Sequence, residues 1–297
     1  MTEQGMCREA ATAVKAGVSD SQSLLYGPGR SVLKGIGYEY VDFRPYSWGD
    51  DVRHVDWRLS ARLIRERGET QLVVKEYMSE RRVELFIALD LSASMHYWDK
   101  LRIAYYATAL FLETARKLED RVYFAILSGG NALIAPYREP LEILHYLVHV
   151  VCREVEPGTG DSLEGLITVL PRFKGVRGVL VVTDYAHHPL NYYRLGSTAR
   201  SMDSSLGIVI ATSRYEISPP VEEAYVALRS PSNKLAIGGL GDLYREIQNH
   251  VKECRAYIKV AARNSLEIHS LKAARENKLR IVKTYLALRQ RFEYTRV

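Results

Sequence analysis

Residues 83–95, VELFIALDLSASM, constrain the fold more than any other stretch of the chain. Leu85 through Leu89 are all apolar, and a short apolar run closed by polar residues is the pattern of a strand buried on both faces in the middle of a parallel sheet. Asp90, Ser92 and Ser94 then fall at alternate positions just where that strand ends. In open α/β sheets ligands bind outside the carboxyl ends of the strands, so a carboxylate and two hydroxyls placed here form a candidate site. Oxygen-only ligands suit a hard cation, and Mg2+ above all. A local reading competes with this one, because Ser and Asp at a strand end also cap helices and close turns through nearby backbone N–H groups.

The rest of the chain alternates strand and helix. Residues 178–183 (GVLVVT) and 206–211 (LGIVIA) repeat the buried-strand texture, and residues 121–127 read as another strand. Residues 100–118 place Leu101, Tyr105, Ala109, Leu112 and Ala115 on one helical face, and residues 140–151 and 163–170 are also helical. Such alternation predicts an α/β fold with a doubly wound, mostly parallel, Rossmann-like sheet over residues 81–239. Before it, residues 1–29 read as a helix stopped by Gly27-Pro28-Gly29, and residues 30–80 as a small β-rich lobe with a strand at 71–77. After it, residues 240–297 read as a charged helical extension, a hairpin of helices on the outside.

Composition narrows the class. A chain of 297 residues can bury a sizeable core. The net charge of +6 is weighted to the C-terminal third but forms no compact basic stripe interleaved with aromatics. Nucleic-acid binding by the basic C-terminal helices is therefore a lesser alternative. No apolar run is long enough to cross a bilayer, the first residues lack the apolar core of a signal peptide, and Cys7, Cys152 and Cys254 fit no ligand spacing. The expectation is a cytoplasmic protein with free thiols.

Two more loops carry oxygen ligands. Residues 157–160 (PGTG) precede the helix at 163–170, and Thr183-Asp184 ends the second buried strand. If the two buried strands are neighbours at the point where strand order reverses, Asp90, Ser92, Ser94, Thr159 and Asp184 converge on one cation. Local chemistry again offers an alternative for each: a turn at Thr159, a capping box from Asp161 and Glu164, a capped turn at Asp184. His187 and His188 read as partly exposed loop residues ahead of Pro189. His145 and His149 lie one helical turn apart but lack the Glu and third ligand of a zinc helix.

The pieces DLSAS, GT and TD, in this order on a strand–helix alternation, resemble the metal-ion-dependent adhesion site of von Willebrand factor type A domains. The resemblance assigns Asp90, Ser92 and Ser94 to the first loop, Thr159 to the second and Asp184 to the third, where Tyr185 replaces the usual glycine. Upstream, Gly35, Gly37, Glu39, Tyr40, Asp42, Arg44, Tyr46, Gly49, Asp50, Asp51, Arg53, Asp56, Trp57, Ser60, Ala61 and Arg62, followed by Val74-Lys75-Glu76 and Glu80, are similar to the signature of the domain of unknown function 58 family. That resemblance implies a von Willebrand type A fold and an association with a MoxR-type AAA+ ATPase, and it covers roughly residues 29–238.

The expected function follows from both lines. Two carboxylates match the charge of Mg2+ (Mn2+ or Ca2+ also suit the ligand set), and a partner's carboxylate would complete the coordination shell. The chain is expected to be a non-enzymatic, cation-dependent protein-interaction module, an adaptor or co-chaperone of a MoxR-type AAA+ ATPase, acting on a client protein. ATP hydrolysis would belong to the partner, since no G-x-x-x-x-G-K-[ST] loop is present. A metal-dependent hydrolase using the same site is the alternative, and it requires an activated water with a free base nearby. In the β-rich lobe, Arg44, Asp50, Asp51, Arg53, Asp56 and Arg62 form either a self-locking charge network anchored by Trp48 and Trp57 or a partner-docking surface.

Overall fold

A computed structural model describes residues 3–26, 40–47, 52, 55–61, 72–77, 82–151, 160–218, 225–229 and 235–289. The chain divides into two compact units, residues 23–81 and a larger one formed by residues 1–22 with 82–297. Helix α1 (Glu3–Tyr26) opens the larger unit. Asp20 fixes it there, accepting from the Tyr106 hydroxyl at 3.1 Å and from Arg275 Nε at 2.9 Å.

The smaller unit pairs β1 (Tyr40–Pro45) antiparallel with β2 (Val73–Tyr77). Between them lies α2 (Trp57–Ser60), whose first N–H groups are accepted by the Asp56 carboxylate, Arg58 N at 3.0 Å and Leu59 N at 2.9 Å. Ser60 Oγ accepts from Val73 N at 2.9 Å and ties this turn to β2. Asp56 is thus a helix cap. Trp57, expected as an apolar anchor, is 62% exposed, because as the first residue of a four-residue helix it has no opposing layer among the described residues. Arg44 is described as a strand position opposite Val74. Trp48, Asp50, Asp51, Arg53 and Arg62 lie outside the described residues.

The larger unit is built on β3 (Glu84–Asp90), followed by α3 (Lys100–Lys117), β4 (Arg121–Ser128), β5 (Asn131–Ile134), α4 (Pro140–Val151) and α5 (Ser162–Val169). Then come β6 (Gly178–Thr183), α6 (Pro189–Ser201), β7 (Ser205–Ala211), α7 (Arg214–Ile217) and the hairpin β8 (Tyr225–Arg229) with β9 (Leu235–Gly239). The unit ends with α8 (Leu240–Ala261), β10 (Asn264–Ile268), α9 (Leu271–Glu276) and α10 (Lys278–Arg289).

Six strands form one sheet in the order β10-β7-β6-β3-β4-β5, parallel except for β5 at the edge. Alternation along β3 sends Phe86 and Ala88 into a core made with α5, α6 and α8. On the other face α3 and α10 cover the sheet, with Phe111 stacked on Tyr285 and Leu288 against Gly178. The sheet is therefore layered by helices on both sides, which is why β3, β6 and β7 are almost wholly apolar.

The C-terminal third differs from the expected outer hairpin of helices. Residues 264–268 pair parallel with β7 as the edge strand, and α10 buries Ile281, Val282, Tyr285 and Leu288. The reason is local: Asn-Ser-Leu-Glu-Ile buries Leu266 and Ile268 at a two-residue period, too short a signal to interrupt the long charged helical texture around it.

Candidate metal centre

The strand order sets the position of the site. From β3 the chain moves outward to β4 and β5, then returns to lay β6 on the other side of β3, so the order reverses between β3 and β6. A crevice opens outside the carboxyl ends at such a switch point. Asp90 closes β3 and Thr183-Asp184 closes β6, in parallel register with Leu89 opposite Val182.

Both carboxylates are buried, Asp90 at 0% and Asp184 at 1% exposure. Asp90 Oδ1 accepts from Ser92 N at 2.8 Å, closing a tight turn that turns the first loop back on the strand end. Asp90 Oδ2 accepts from the Thr183 hydroxyl at 2.6 Å, so the two loops are tied directly. Asp184 repeats the device, with Oδ1 accepting from Ala186 N at 3.0 Å. Turn chemistry and convergence on one crevice thus coexist in the same residues.

The hydroxyls of Ser92 and Ser94 lie side by side, their oxygens 3.1 Å apart. Two ligand oxygens at right angles on a Mg2+ ion, each at about 2.1 Å, would be about 3.0 Å apart. The pair fits a hard octahedral cation. Thr159 lies outside the described residues; its neighbour Gly160 packs on the β4–β5 turn, where a Cβ would stand 2.9 Å from the Gly129 carbonyl. This close approach holds Gly160 against the β4–β5 turn.

Four residues absent from the expected ligand set complete the cluster. Lys100, the first residue of α3 and 2% exposed, donates to Asp184 Oδ2 at 2.8 Å and also to the Glu216 carboxylate. Burial opposes its charge, but Asp184 and Glu216 outweigh that and raise its pKa. His187 is 3% exposed rather than a partly exposed loop histidine, since the turn after Asp184 directs its ring inward. Its Nε2 lies 2.6 Å from Asp90 Oδ2 and 2.8 Å from Thr183 Oγ, and its Nδ1 lies 2.9 Å from Asp161 Oδ1. With a carboxylate on each nitrogen the imidazolium is favoured: burial pulls the pKa down, while the Asp90 charge and the bonds to Asp161 and Asp90 push it up to about 10.

Asp161 serves two roles at once. It caps α5 by accepting from Leu163 N at 3.0 Å, and its second oxygen accepts from His188 N and from Asn191 Nδ2, both at 2.8 Å. Burial raises its carboxyl, but the His187 hydrogen bond and charge bring it down from 3.8 to about 2. For Asp184 burial again opposes ionisation and the Lys100 charge reverses the balance, holding the group below 3.8.

The charge count is the informative result. Asp90, Asp161, Asp184 and Glu216 bring four negative charges to this network, against two positive ones on Lys100 and His187. Among the described residues two negative charges remain, which is the charge a divalent cation neutralises. Carboxylate oxygens of Asp90 and Asp184 lie within 4.8 Å of each other, close enough for one ion, with a ring nitrogen of His187 inside the same distance as their positive partner. The histidine pair on α4, His145 and His149, is exposed, and Cys152 lies outside the described residues.

Fold and site together define an open α/β protein with an acidic crevice at the switch point of its parallel sheet. Residues 42–233, most of the chain, match the family described as Protein of unknown function DUF58, and the chain belongs to that family. Uncharacterized protein Rv1480 of Mycobacterium tuberculosis and Uncharacterized protein Mb1516 of Mycobacterium bovis are each 26% identical over 179 residues, 58% of this chain and 54% of theirs. The chain spans about half the length of the curated relatives it matches. Among solved structures it is similar to an aerotolerance-related membrane protein from Bacteroides fragilis, at 18% identity and a TM-score of 0.46, covering 68% of this chain and 99% of that one. BatB from Bacteroides thetaiotaomicron gives 19% identity and a TM-score of 0.37 at the same coverage. No helix among the described residues is long and apolar enough to cross a membrane.

Proposed function

We propose that this chain is a divalent-cation-dependent protein-interaction module of the von Willebrand type A kind, an adaptor or co-chaperone of a MoxR-type AAA+ ATPase that also engages a client protein. The observation that carries the reading is the excess of two negative charges, among the described residues, around a crevice whose Asp90 and Asp184 are buried and whose serine hydroxyls are spaced for a hard cation. Asp90, Ser92, Ser94 and Asp184 would hold Mg2+ or Mn2+, with Thr159 added by its resemblance to the second adhesion loop. The ion supplies a Lewis-acidic position open to a partner's Asp or Glu.

This chain's own residues do the orienting. Thr183 and His187 hold one oxygen of Asp90, and Ser92 N holds the other, so its carboxylate cannot rotate away. Docking is favoured over hydrolysis at His187, because both of its ring nitrogens are engaged by carboxylates and neither is free to activate water.

The test combines binding and capture. Magnesium titration by calorimetry on wild type and Asp90→Ala is followed by capture of a purified MoxR-type ATPase with and without chelator. The expected outcome is metal heat and chelator-sensitive capture in the wild type, both lost in Asp90→Ala. Capture that survives chelator would move the docking surface to the smaller unit or the C-terminal helices and sink the metal-bridged reading.

A further inference from the structure

We propose that Lys100 is an internal counter-ion that competes with the divalent cation for Asp184, so that the crevice folds without metal, holds metal loosely, and leaves part of the metal's charge free for a partner's carboxylate. This rests on the metal-docking reading above and adds the residue that tunes it.

Lysine is almost never fully buried unless paired. Here the pairing is with a carboxylate expected to hold the ion: Lys100 Nζ is 2.8 Å from Asp184 Oδ2, both side chains being at most 2% exposed. The remaining oxygen of Asp184 accepts from Ala186 N. A cation approaching Asp184 therefore meets a carboxylate whose charge is already shared with an ammonium. On the other side of the crevice His187 shares Asp90 in the same way.

Glu216 sets how strongly Lys100 opposes the ion. Its Oε1 accepts from Lys100, while its Oε2 accepts from Ser213 N at 2.9 Å and Thr212 Oγ at 3.0 Å in the capping box of α7. Glu216 is thus fixed by its own loop and draws part of the ammonium's field away from Asp184. The arrangement predicts opposite signs for the two partners. Removing the ammonium removes like-charge repulsion of the metal, whereas neutralising Glu216 turns the full ammonium charge on Asp184.

The experiment is a Mg2+ titration by calorimetry on the full chain in wild type, Lys100→Met and Glu216→Gln, repeated with acetate as a carboxylate probe. Lys100→Met is expected to bind Mg2+ more than about tenfold tighter, and to lose most of the strengthening that acetate gives the wild type. Glu216→Gln, which keeps a side-chain oxygen for the capping box, is expected to bind Mg2+ several-fold more weakly. If Lys100→Met does not fold without metal, Glu216→Gln decides alone. Weaker Mg2+ binding in Lys100→Met, or unchanged binding in Glu216→Gln, overturns the proposal and leaves the docking reading standing. No Mg2+ binding in any of the three forms overturns both.

Discussion

At the amino end of the sheet Asp120, just before β4, is enclosed by partners that match it one for one. Its two oxygens accept from Val83 N at 3.1 Å, Tyr285 OH at 2.8 Å and Arg289 Nη2 at 3.0 Å, with Arg289 Nε a further 2.8 Å contact. At the carboxyl end Asp90 and Asp184 are equally buried, yet their network carries four acids and two bases. The same sheet thus shows both ways of burying a carboxylate. Among the described residues one pairs its carboxylate with a single guanidinium and ties α10 to the strand starts. The other is left two charges short among the described residues, in the crevice where α/β sheets bind ligands. Buried charge that only holds a fold together is compensated within the fold; an uncompensated remainder points to something that arrives from outside.

The largest effect should come from breaking the closed end. Asp120→Ala removes the carboxylate that faces the buried Arg289 guanidinium and is expected to cost about 3–5 kcal/mol in urea unfolding, identically with and without Mg2+. A Mg2+-dependent cost would merge the two ends and break the contrast. At the open end Asp90→Asn loses the charge-assisted bond to His187 and turns an amide nitrogen toward the Thr183 hydroxyl, for a cost of about 1.5–3 kcal/mol, while also reducing the negative excess. Its diagnostic result is that the wild type gains melting temperature with Mg2+ and the variant does not.

The two ends should also respond to pH with opposite sign. The Asp161 carboxyl is lowered to about 2 in the folded state, so its contribution is present above 3.8 and lost as pH falls through about 2. Asp161→Asn is expected to cost about 2 kcal/mol at pH 6, and this difference should vanish as the pH is taken toward 2. For Asp120 burial outweighs Arg289 and holds the carboxyl above 3.8, so its contribution is present below that value and lost as pH rises through the folded pKa. Measured against wild type from pH 2 to 6, the unfolding free energy of Asp161→Asn should fall as pH rises and that of Asp120→Asn should rise, the two differences changing with opposite sign. Parallel slopes would contradict the contrast.

Much of this was legible in the sequence, and the reason is that it is local. The buried strands announce themselves as apolar runs, and Asp90, Ser92, Ser94 and Asp184 sit within four residues of the strand ends that place them. The counter-ions were not legible. Lys100 and Glu216 lie 84 and 116 residues from their contacts and their bonds follow from strand order, which no spacing encodes. His187 reads as a loop residue because it stands between the strand end at Asp184 and Pro189, and only the turn at Asp184 brings its ring inward. Asp161 was read as a helix cap, which it is, while its bond to His187 required the second and third loops to meet. Strand β10 escaped for the opposite reason, being five residues of alternation inside a long helical texture.

The central claim is that the two missing charges belong to a divalent cation held by Asp90 and Asp184. The most direct measurement is calorimetric titration of Mg2+, then Mn2+, into the wild type and into Asp90→Asn after exhaustive dialysis against chelator. One saturable site per chain in the wild type, abolished in Asp90→Asn with the fold intact by circular dichroism, is the predicted result. Heats that are absent from the wild type, or that persist undiminished in Asp90→Asn, would contradict it.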